Sequence, residues 1–393
     1  MNERDLAMLK LISVYGVLSK KELNYYSCNL YGDNEVAIKK RLERWCTAKV
    51  IVRKVYGPRK QVSYHLGPKG REILEETELI TKGKPLSNNV IPRNIDHFFG
   101  LRDLMVKIHV EVERLELSVQ SYSPYELDFK KDYELGVFIR PDWILKINKW
   151  QFNIEFDTGS ESIAIILDKA ARYAEWAIDK PNEYHHILFT VIDNVDSTFT
   201  YMFSDYGINR KKRVLNLKTA IIRTGAHRYP NLKFSVAQIS RMPQVLKQIA
   251  NVELKTENHF LESDVSSFQL LLDHNSAFEY VVEKAINPFD IYLYDVDNTL
   301  FGDAHFLLKS ETDSKTKVMI VKFLKEGDVA TLDNLEYLNL LKRQQRSKVK
   351  VDYIIGVYNT NEELKADSIG NQDNVILTSM EKLYDLTKSP FYS

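Results

Sequence analysis

The stretch DNEVAIKKRLERWCTAKVIVRKVYGPRKQVSYHL, residues 33–66, decides the fold of the first part of the chain. Its first half repeats apolar side chains at helical spacing and begins with Asp33, a good N-cap, which predicts a helix through Ala48. Two runs of alternating character follow at 51–56 and 61–66, and turn residues separate them. The stretch therefore predicts a helix followed by a β-hairpin.

Two shorter helices are predicted upstream of this stretch. Residues 3–16 carry a largely apolar helical face that Gly16 ends, and Ser19 caps a second helix. Three helices and a hairpin are the order of a winged helix-turn-helix. The segment YHLGPKGREIL at 64–74 also resembles the exit of such domains, with Gly67 where threonine is usual. We therefore predict a winged helix-turn-helix over residues 1–80.

Positive charge is concentrated in the same segment. Between Val36 and Leu66 there is one acid, Glu43, and the basic residues are Lys39, Lys40, Arg41, Arg44, Lys49, Arg53, Lys54, Arg59 and Lys60. Cations that neutralise DNA phosphates release condensed counterions, and a helix after a helix and a turn can enter the major groove. The alternative is a solvated helix face. We predict that double-stranded DNA is bound by Asn34, Lys39, Lys40, Arg41 and Arg44 of the helix and by Arg53, Lys54, Arg59 and Lys60 of the hairpin.

A second domain is predicted over residues 96–255, after a linker at 81–95 that is rich in proline and asparagine. Its predicted order is helix, three strands, helix, strand. The predicted elements are a helix from His97 to Glu116, strands at 119–123, 137–147 and 151–156, a helix to about Ile178 that begins with a Thr158/Glu161 capping box, and a further strand.

Three acids stand at the ends of two of these strands. Asp142 opens one strand, while Glu155 and Asp157 end the next and share a face because side chains alternate. Three convergent carboxylates would suit a hard divalent cation such as Mg²⁺ or Mn²⁺. Asp142, Glu155 and Asp157 are therefore the candidate metal ligands, and with Lys169 they are the candidate catalytic residues.

The same residues resemble the PD-(D/E)xK nuclease superfamily. Pro141-Asp142 stands at the PD, and Glu155-x-Asp157 stands where Glu-x-Lys is expected. The superfamily's lysine would have to be replaced by Lys169 of the next helix. With Thr158 as the cap, Lys169 lies about eleven residues into that helix, or ~16 Å along its axis, a long reach back to Glu155. A degenerate fold used for binding and an active metal-dependent nuclease both remain open.

The two features together resemble the replication-relaxation family of Gram-positive plasmids and integrative elements. The matching positions are Arg140, Pro141, Asp142, Glu155, Asp157, Gly159, Glu161, Lys169 and Tyr173, and the resemblance spans about residues 5–195. It implies a double-stranded-DNA-binding accessory factor in replication, relaxation or transfer of a mobile element. Its partners would be replication, relaxase or transfer proteins of the same element.

A third domain is predicted over residues 256–393 as an α/β unit that repeats the topology of the second domain. Its predicted elements are a helix at 266–286, strands at 290–295, 304–310 and 317–324, a helix at 332–343 and a strand at 351–358. Oligomerisation, DNA contact and partner binding are the roles left open for it.

Bulk composition adds limits to this multi-domain α/β prediction. Lys plus Arg and Asp plus Glu number 54 each, so net charge does not indicate a partner. No apolar stretch could span a bilayer, and we expect a cytoplasmic homo-oligomer that does not bind membranes. We expect no catalytic turnover, and the sequence assigns no cofactor unless the nuclease-like site is active, in which case Mg²⁺ or Mn²⁺ is expected. The enzyme alternative is a Mg²⁺- or Mn²⁺-dependent DNA endonuclease or nickase, and a further alternative is a winged-helix transcription regulator with a partner-sensing C-terminal half.

Overall fold

The computed structural model describes residues 1–56, 61–83, 95–123, 139–159, 161–193, 209–254, 257–293, 300–310 and 315–387. The chain forms two compact units. Unit 1 comprises residues 1–210, 229–232 and 238–247, and unit 2 comprises residues 211–228, 233–237 and 248–393. The domain boundaries predicted from the sequence stay a prediction.

Unit 1 begins with helices and a small sheet. The elements are α1 (Glu3–Tyr15), β1 (Leu18–Ser19), α2 (Lys20–Tyr31), α3 (Glu35–Thr47), β2 (Ile51–Tyr56), β3 (Gln61–Leu66) and α4 (Pro68–Glu76). The antiparallel strands lie in the order β1-β3-β2. Ser19 caps α2 as predicted, through a capping box with Glu22.

The N-cap of α3 is Asn34, so the prediction of Asp33 was wrong by one residue. The side-chain oxygen of Asn34 accepts a hydrogen bond from the backbone N–H of Ala37 at 2.8 Å. The Asp33 carboxylate instead accepts hydrogen bonds from Arg4 at 2.6 Å and Arg41 at 2.7 Å. The Asp33 carboxylate is therefore used in ion pairs with residues distant in the sequence, although the local sequence predicts that it caps α3.

Gly67 departs from the usual threonine for a steric reason. A Cβ at this position would lie 2.3 Å from the carbonyl oxygen of Lys49 and 2.9 Å from that of Val50. Its own N–H donates to the Val50 oxygen at 2.8 Å. The close approach of two backbone segments requires glycine here.

The second part of unit 1 has the predicted order of helix, three strands, helix and strand. Its elements are α5 (Ile95–Arg114), β4 (Val119–Tyr122), β5 (Trp143–Ile147), β6 (Trp150–Asp157), α6 (Ile163–Asp179) and β7 (Tyr184–Val191). These strands lie in the order β4-β5-β6-β7. The first three are antiparallel, and β7 runs parallel to β6.

Helix α6 begins later than predicted. Its N-cap is Ser162, whose side chain accepts from Ile165, and the predicted Thr158/Glu161 capping box does not start the helix. The reason is a turn after β6, in which Gly159 has φ +85° and its N–H donates to Asp157 at 2.9 Å. A residue in that conformation cannot continue a right-handed helix.

Three elements divide between the units: α7 (Arg210–Thr224), β8 (Leu232–Gln238) and α8 (Met242–Leu254). The remaining elements of unit 2 are α9 (Glu257–Asp273), β9 (Tyr280–Ala285), β10 (Ala304–Ser310), β11 (Thr316–Phe323), α10 (Val329–Gln344), β12 (Tyr353–Tyr358), α11 (Asn361–Ala366), β13 (Ile376–Ser379) and α12 (Met380–Leu383). Helix α9 packs through Phe268 on one face of the unit 2 sheet, which contains β10, β11 and β12. Helix α10 packs through Leu335 and Leu338 on the other face.

Two predictions for this unit were wrong. The predicted helix 266–286 ends at Asp273, and residues 280–285 form β9, which pairs with β10. The run YVVEKA favours a strand through its β-branched residues once a partner strand is available. The predicted strand at 290–295 begins instead in a 3₁₀ turn over Pro288–Asp290, and residues 294–295 lie outside the described part.

The repeated topology is present in the described elements. The order α9-β9-β10-β11-α10-β12 matches α5-β4-β5-β6-α6-β7. Pair orientations match as well, because β9, β10 and β11 are antiparallel and β12 runs parallel to β11. Each unit therefore contains one copy of the same strand and helix arrangement.

Candidate functional site

Helix α3 presents two lysines and an arginine to solvent. Ile38, Leu42 and Trp45 are buried on the opposite face. Lys40 and Arg44 are exposed and four residues apart, which places them on one face. Lys39 is also exposed, but its ammonium lies 4.0 Å from the Glu43 carboxylate. A shallow groove runs along this face, lined by Ala37, Lys40, Arg41, Glu43, Arg44, Thr47 and Ala48.

Arg41 differs from the other basic residues of α3. Its side chain is buried, with Nε 3.0 Å from the Asp5 carboxylate and one terminal nitrogen 2.7 Å from Asp33. A guanidinium held by two carboxylates joins α1, α3 and the loop before α3. We therefore correct its assignment from DNA contact to an ion pair inside the fold.

The other predicted DNA-binding residues are placed as follows. Arg53 and Lys54 are exposed on β2, beside the exposed Val52 and Val55. Asn34 is exposed, and its side-chain oxygen caps α3. Arg59 and Lys60 of the predicted hairpin tip lie outside the described residues.

A second group of polar residues forms what we call the carboxylate–lysine site, made of His97, Asp142, Glu155, Lys169 and Tyr173. Asp142 directly precedes β5, and its N–H donates to Ile154 of β6, so it lies beside Glu155 in the register of the two strands. Lys169 and Tyr173 are one turn apart on α6. The fold therefore brings residues that are far apart in the sequence, from His97 to Tyr173, to one end of the sheet.

Glu155 is the centre of this site. Its side chain is 4% exposed, and Lys169 Nζ lies 3.0 Å from Oε2. Tyr173 donates its hydroxyl hydrogen to Oε1 at 2.7 Å. Lys169 also donates to both Glu161 oxygens at 3.0 Å. The ammonium therefore bridges two carboxylates, one of them buried.

The expectation that Lys169 could hardly reach Glu155 was wrong. It rested on a helix that began after Thr158, whereas α6 begins at Ile163. Lys169 is then six residues from the first helical residue, about 9 Å along the axis. The remaining distance is spanned by a lysine side chain pointing back towards the helix N-terminus.

Asp142 has its own partners. Its Oδ2 accepts a hydrogen bond from the Phe156 backbone N–H at 2.8 Å. The same oxygen lies 3.1 Å from His97 Nε2 of α5. His97, Glu161 and Tyr173 were not among the candidate site residues from sequence, although Glu161 and Tyr173 occur in the motif that carried the family resemblance.

Burial and charge shift the protonation equilibria of these groups. Burial raises the pKa of Glu155, the Asp142 carboxylate raises it further, and Lys169 and Tyr173 oppose the rise. Burial alone would lower the pKa of Lys169, but Glu155 and Glu161 raise it above its ordinary value. Burial also opposes the charged form of His97, yet its hydrogen bond with Asp142 leaves the His97 pKa raised. The site therefore favours cationic Lys169.

The fit of these residues to a divalent cation is poor. Asp157 is buried, and its Oδ1 accepts from Gly159. In the part of the chain that the structure describes, no three acidic, histidine or cysteine side chains are arranged to hold a metal ion. Lys169 supplies positive charge to Glu155 itself. The predicted Asp142, Glu155 and Asp157 ligand set is not assembled here.

The repeat in unit 2 contains a counterpart of this strand pair. Asp303 directly precedes β10, and its Oδ2 accepts from the Phe323 backbone N–H at 2.7 Å, as Asp142 does from Phe156. The register places Lys322 where unit 1 has Glu155, and Lys322 Nζ lies 2.8 Å from Asp303. Unit 2 therefore keeps the aspartate but replaces the buried glutamate with a lysine.

Sequence comparison connects unit 1 with a known family. The family model described as Replication-relaxation matches residues 21–192. The resemblance predicted from the sequence is thereby confirmed. Both α3 and the carboxylate–lysine site lie within the match.

Other comparisons gave less. A search of curated proteins found no match, and neither did a search of solved structures. Among the described residues, no helix is both long and apolar enough to cross a membrane.

Proposed function

We propose that this chain binds double-stranded DNA through α3 and the β2–β3 hairpin, as a non-catalytic accessory factor in replication, relaxation or transfer of a plasmid or other mobile element. The observation that carries the proposal is the exposed pair Lys40 and Arg44 on the face of α3 opposite its buried residues. The matched family supports the process.

The arrangement around α3 supports groove binding. Helix α3 follows α2 after a short turn, and an antiparallel β2–β3 pair follows α3. This is the order of a winged helix-turn-helix, in which the recognition helix enters the major groove. Arg53 and Lys54 on β2 would then contact flanking phosphates.

The carboxylate–lysine site supports the absence of turnover. Its buried glutamate is already paired with Lys169 and hydrogen-bonded by Tyr173. Such a hydrogen-bonded network makes the end of the sheet rigid without a bound metal ion. We also propose that the protein acts as a homo-oligomer with replication, relaxase or transfer proteins of the same element.

The DNA proposal is tested by Lys40→Ala/Arg44→Ala in the full chain. Binding to labelled duplex DNA is measured over a range of salt concentrations. Each lost phosphate contact lowers the slope of log K against log salt by about 0.9, so the double variant should lose about 1.8. A matched control is Lys10→Ala/Lys69→Ala, which removes two exposed lysines from α1 and α4.

The control should keep the wild-type affinity and slope. If the α3 variant also keeps both, α3 does not contact DNA and the proposal fails. If both variants lose the same amount, binding is spread over the surface and the assignment to α3 also fails.

Metal-dependent cleavage of DNA is the second candidate function. One observation favours it: Asp142 and Glu155 lie side by side in the register of β5 and β6, as the two acids of the PD-(D/E)xK pattern would. Supercoiled plasmid is incubated with the protein and Mn²⁺, and wild type is compared with Asp142→Ala. We expect no nicking by either protein. Nicking that Asp142→Ala abolishes would replace the non-catalytic proposal with this one.

A further inference from the structure

The segment that runs from the last turn of α10 into the connection to β12 is strongly basic. Its sequence, KRQQRSKVK at 342–350, has five cations and no acid. The cations are Lys342, Arg343, Arg346, Lys348 and Lys350, of which all but the half-buried Lys342 are exposed. We call this segment the basic loop.

The basic loop is held against the segment that follows β9. Lys348 donates its backbone N–H to the Ile291 oxygen at 2.8 Å and its ammonium hydrogen to the Phe289 oxygen at 2.7 Å. Gln345 ends α10 in the left-handed conformation, with φ 52°, and the Arg346 N–H then donates to Leu341 at 3.1 Å. These hydrogen bonds give the loop a defined position.

An aromatic ring lies on the segment that the basic loop contacts. Phe289 is 54% exposed, and its ring meets Phe301 at a centroid distance of 5.9 Å and an angle of 79°. Phe301 in turn stacks on Tyr292 at 4.0 Å. The exposed ring is therefore supported by two further rings while much of its own surface stays open to a ligand.

Acidic residues near the loop do not cancel its charge. Lys350 lies 3.2 Å from Asp352, whose side chain is 18% exposed, and Asp290 is exposed beside Phe289. Among the residues that the structure describes, these two carboxylates stand against the five cations of the loop. The described part of the surface therefore carries a net positive charge next to an exposed aromatic side chain.

The repeat in unit 1 provides an internal comparison. Its equivalent connection, between α6 and β7, contains Lys180 and Glu183, whose charged groups lie 3.9 Å apart and offset one another. The topology therefore does not require positive charge at this position. Lys342 and Lys348 contribute to the fold of unit 2 by donating to backbone oxygens, whereas the exposed Arg343 and Arg346 point to a function.

We propose that the basic loop and Phe289 form a binding surface for single-stranded nucleic acid. Phosphates pair with Arg343 and Arg346, and a base stacks on the Phe289 ring. Proteins that bind single strands without sequence preference combine a cationic track with aromatic side chains in this way. The surface is distinct from α3, for which duplex DNA is proposed.

The test uses the full chain and a short labelled single-stranded oligonucleotide of mixed sequence, with binding measured by fluorescence anisotropy over a range of salt concentrations. Arg343→Ala/Arg346→Ala should lower the slope of log K against log salt by about 1.4, since each lost contact to a single strand removes about 0.7. Phe289→Ala should weaken binding roughly tenfold with an unchanged slope, because it removes stacking and no charge. Phe289→Trp should retain binding.

The matched control is Lys284→Ala/Lys309→Ala, two exposed lysines on β9 and β10 of the same unit. It should bind as the wild type does. All variants are repeated in the Lys40→Ala/Arg44→Ala background with both single-stranded and duplex DNA. If the α3 proposal is wrong, the Lys40→Ala/Arg44→Ala protein will bind duplex DNA as the wild type does, and its binding of single strands does not bear on that proposal.

Several results would overturn the single-strand proposal. One is an unchanged salt slope in Arg343→Ala/Arg346→Ala. A second is a Phe289→Ala variant that binds like the wild type, since a stacking role would then be absent. A third is equal capture by phosphatidylserine vesicles or poly-glutamate that the same variants abolish, which would assign the surface to a membrane or an acidic protein.

Discussion

Replacing Lys169 with methionine is the perturbation that most directly tests the carboxylate–lysine site. The ammonium lies 3.0 Å from Glu155 and 3.0 Å from Glu161. The Glu155 side chain is 4% exposed and that of Lys169 is 28% exposed. Methionine keeps most of the side-chain volume, so the change removes charge and hydrogen bonds while leaving packing largely intact.

The expected loss of stability follows from that geometry. Removing one partner of a fully buried ion pair costs about 3–5 kcal/mol, because the other charge is left uncompensated. Tyr173 still donates to Glu155, and Lys169 is partly in contact with solvent, which together reduce the expected loss to about 2–3 kcal/mol. In Glu155→Gln the same lysine retains Glu161, so the loss should be smaller.

The loss should depend on pH with a definite sign. The folded-state pKa of Glu155 is already above its ordinary value, and it rises further without Lys169. A carboxyl group with a raised folded-state pKa favours folding while protonated and loses that contribution as pH rises through its folded pKa. Lys169→Met should therefore be more destabilising at about pH 8 than at about pH 5.

The assay is urea unfolding of wild type, Lys169→Met, Glu155→Gln and the double variant, at both pH values. Residues in direct contact give interaction energies of about 0.5–3 kcal/mol in such a cycle, and we expect about 2 kcal/mol at the higher pH. Strictly additive losses would mean that Lys169 and Glu155 do not interact, and the geometry described here would be refuted.

Two further substitutions test buried charges elsewhere in the chain. Burial, together with the nearby Asp103 carboxylate, raises the pKa of Glu22 to about 8. The wild type should therefore lose stability as pH rises from about 5 to about 8, and Glu22→Gln should make that loss smaller. A wild-type free energy of unfolding that is independent of pH in this window would contradict the prediction. Lys218 and Asp367 form an ion pair at 2.6 Å with side chains 0% and 2% exposed, so Lys218→Met should lower the free energy of unfolding by about 3–5 kcal/mol. A loss below about 1 kcal/mol in urea unfolding would show that the pair is not buried in solution.

Much of unit 1 could be predicted from sequence because its determinants are local. Ser19 marks the start of α2, alternation marks β2 and β3, and periodicity marks α6. Capping, turn chemistry and side-chain periodicity act over a few residues, and a single sequence contains all of that information. The order of strands and helices in the unit 1 repeat followed from the same signals, whereas in unit 2 the first strand was placed at the wrong residues.

Two of the errors share one physical cause, which is competition from partners distant in sequence. Asp33 would cap α3 locally, but Arg4 and Arg41 take its carboxylate. The sequence of residues 280–285 continues the helical pattern of the preceding residues, but these residues pair with β10 through backbone hydrogen bonds and form a strand. Local preferences of a few tenths of a kcal/mol to about 1 kcal/mol yield to such tertiary interactions.

The sequence by itself determined that a dense group of cations occupies one helix and its hairpin, and that acids end two neighbouring strands, because residue type and spacing are local properties. Only the tertiary structure decided which of those charges are available. It buried Arg41 between two aspartates, left Lys40 and Arg44 exposed, and brought Lys169 to Glu155. Burial and pairing depend on what packs against a side chain, and that is fixed by the fold as a whole.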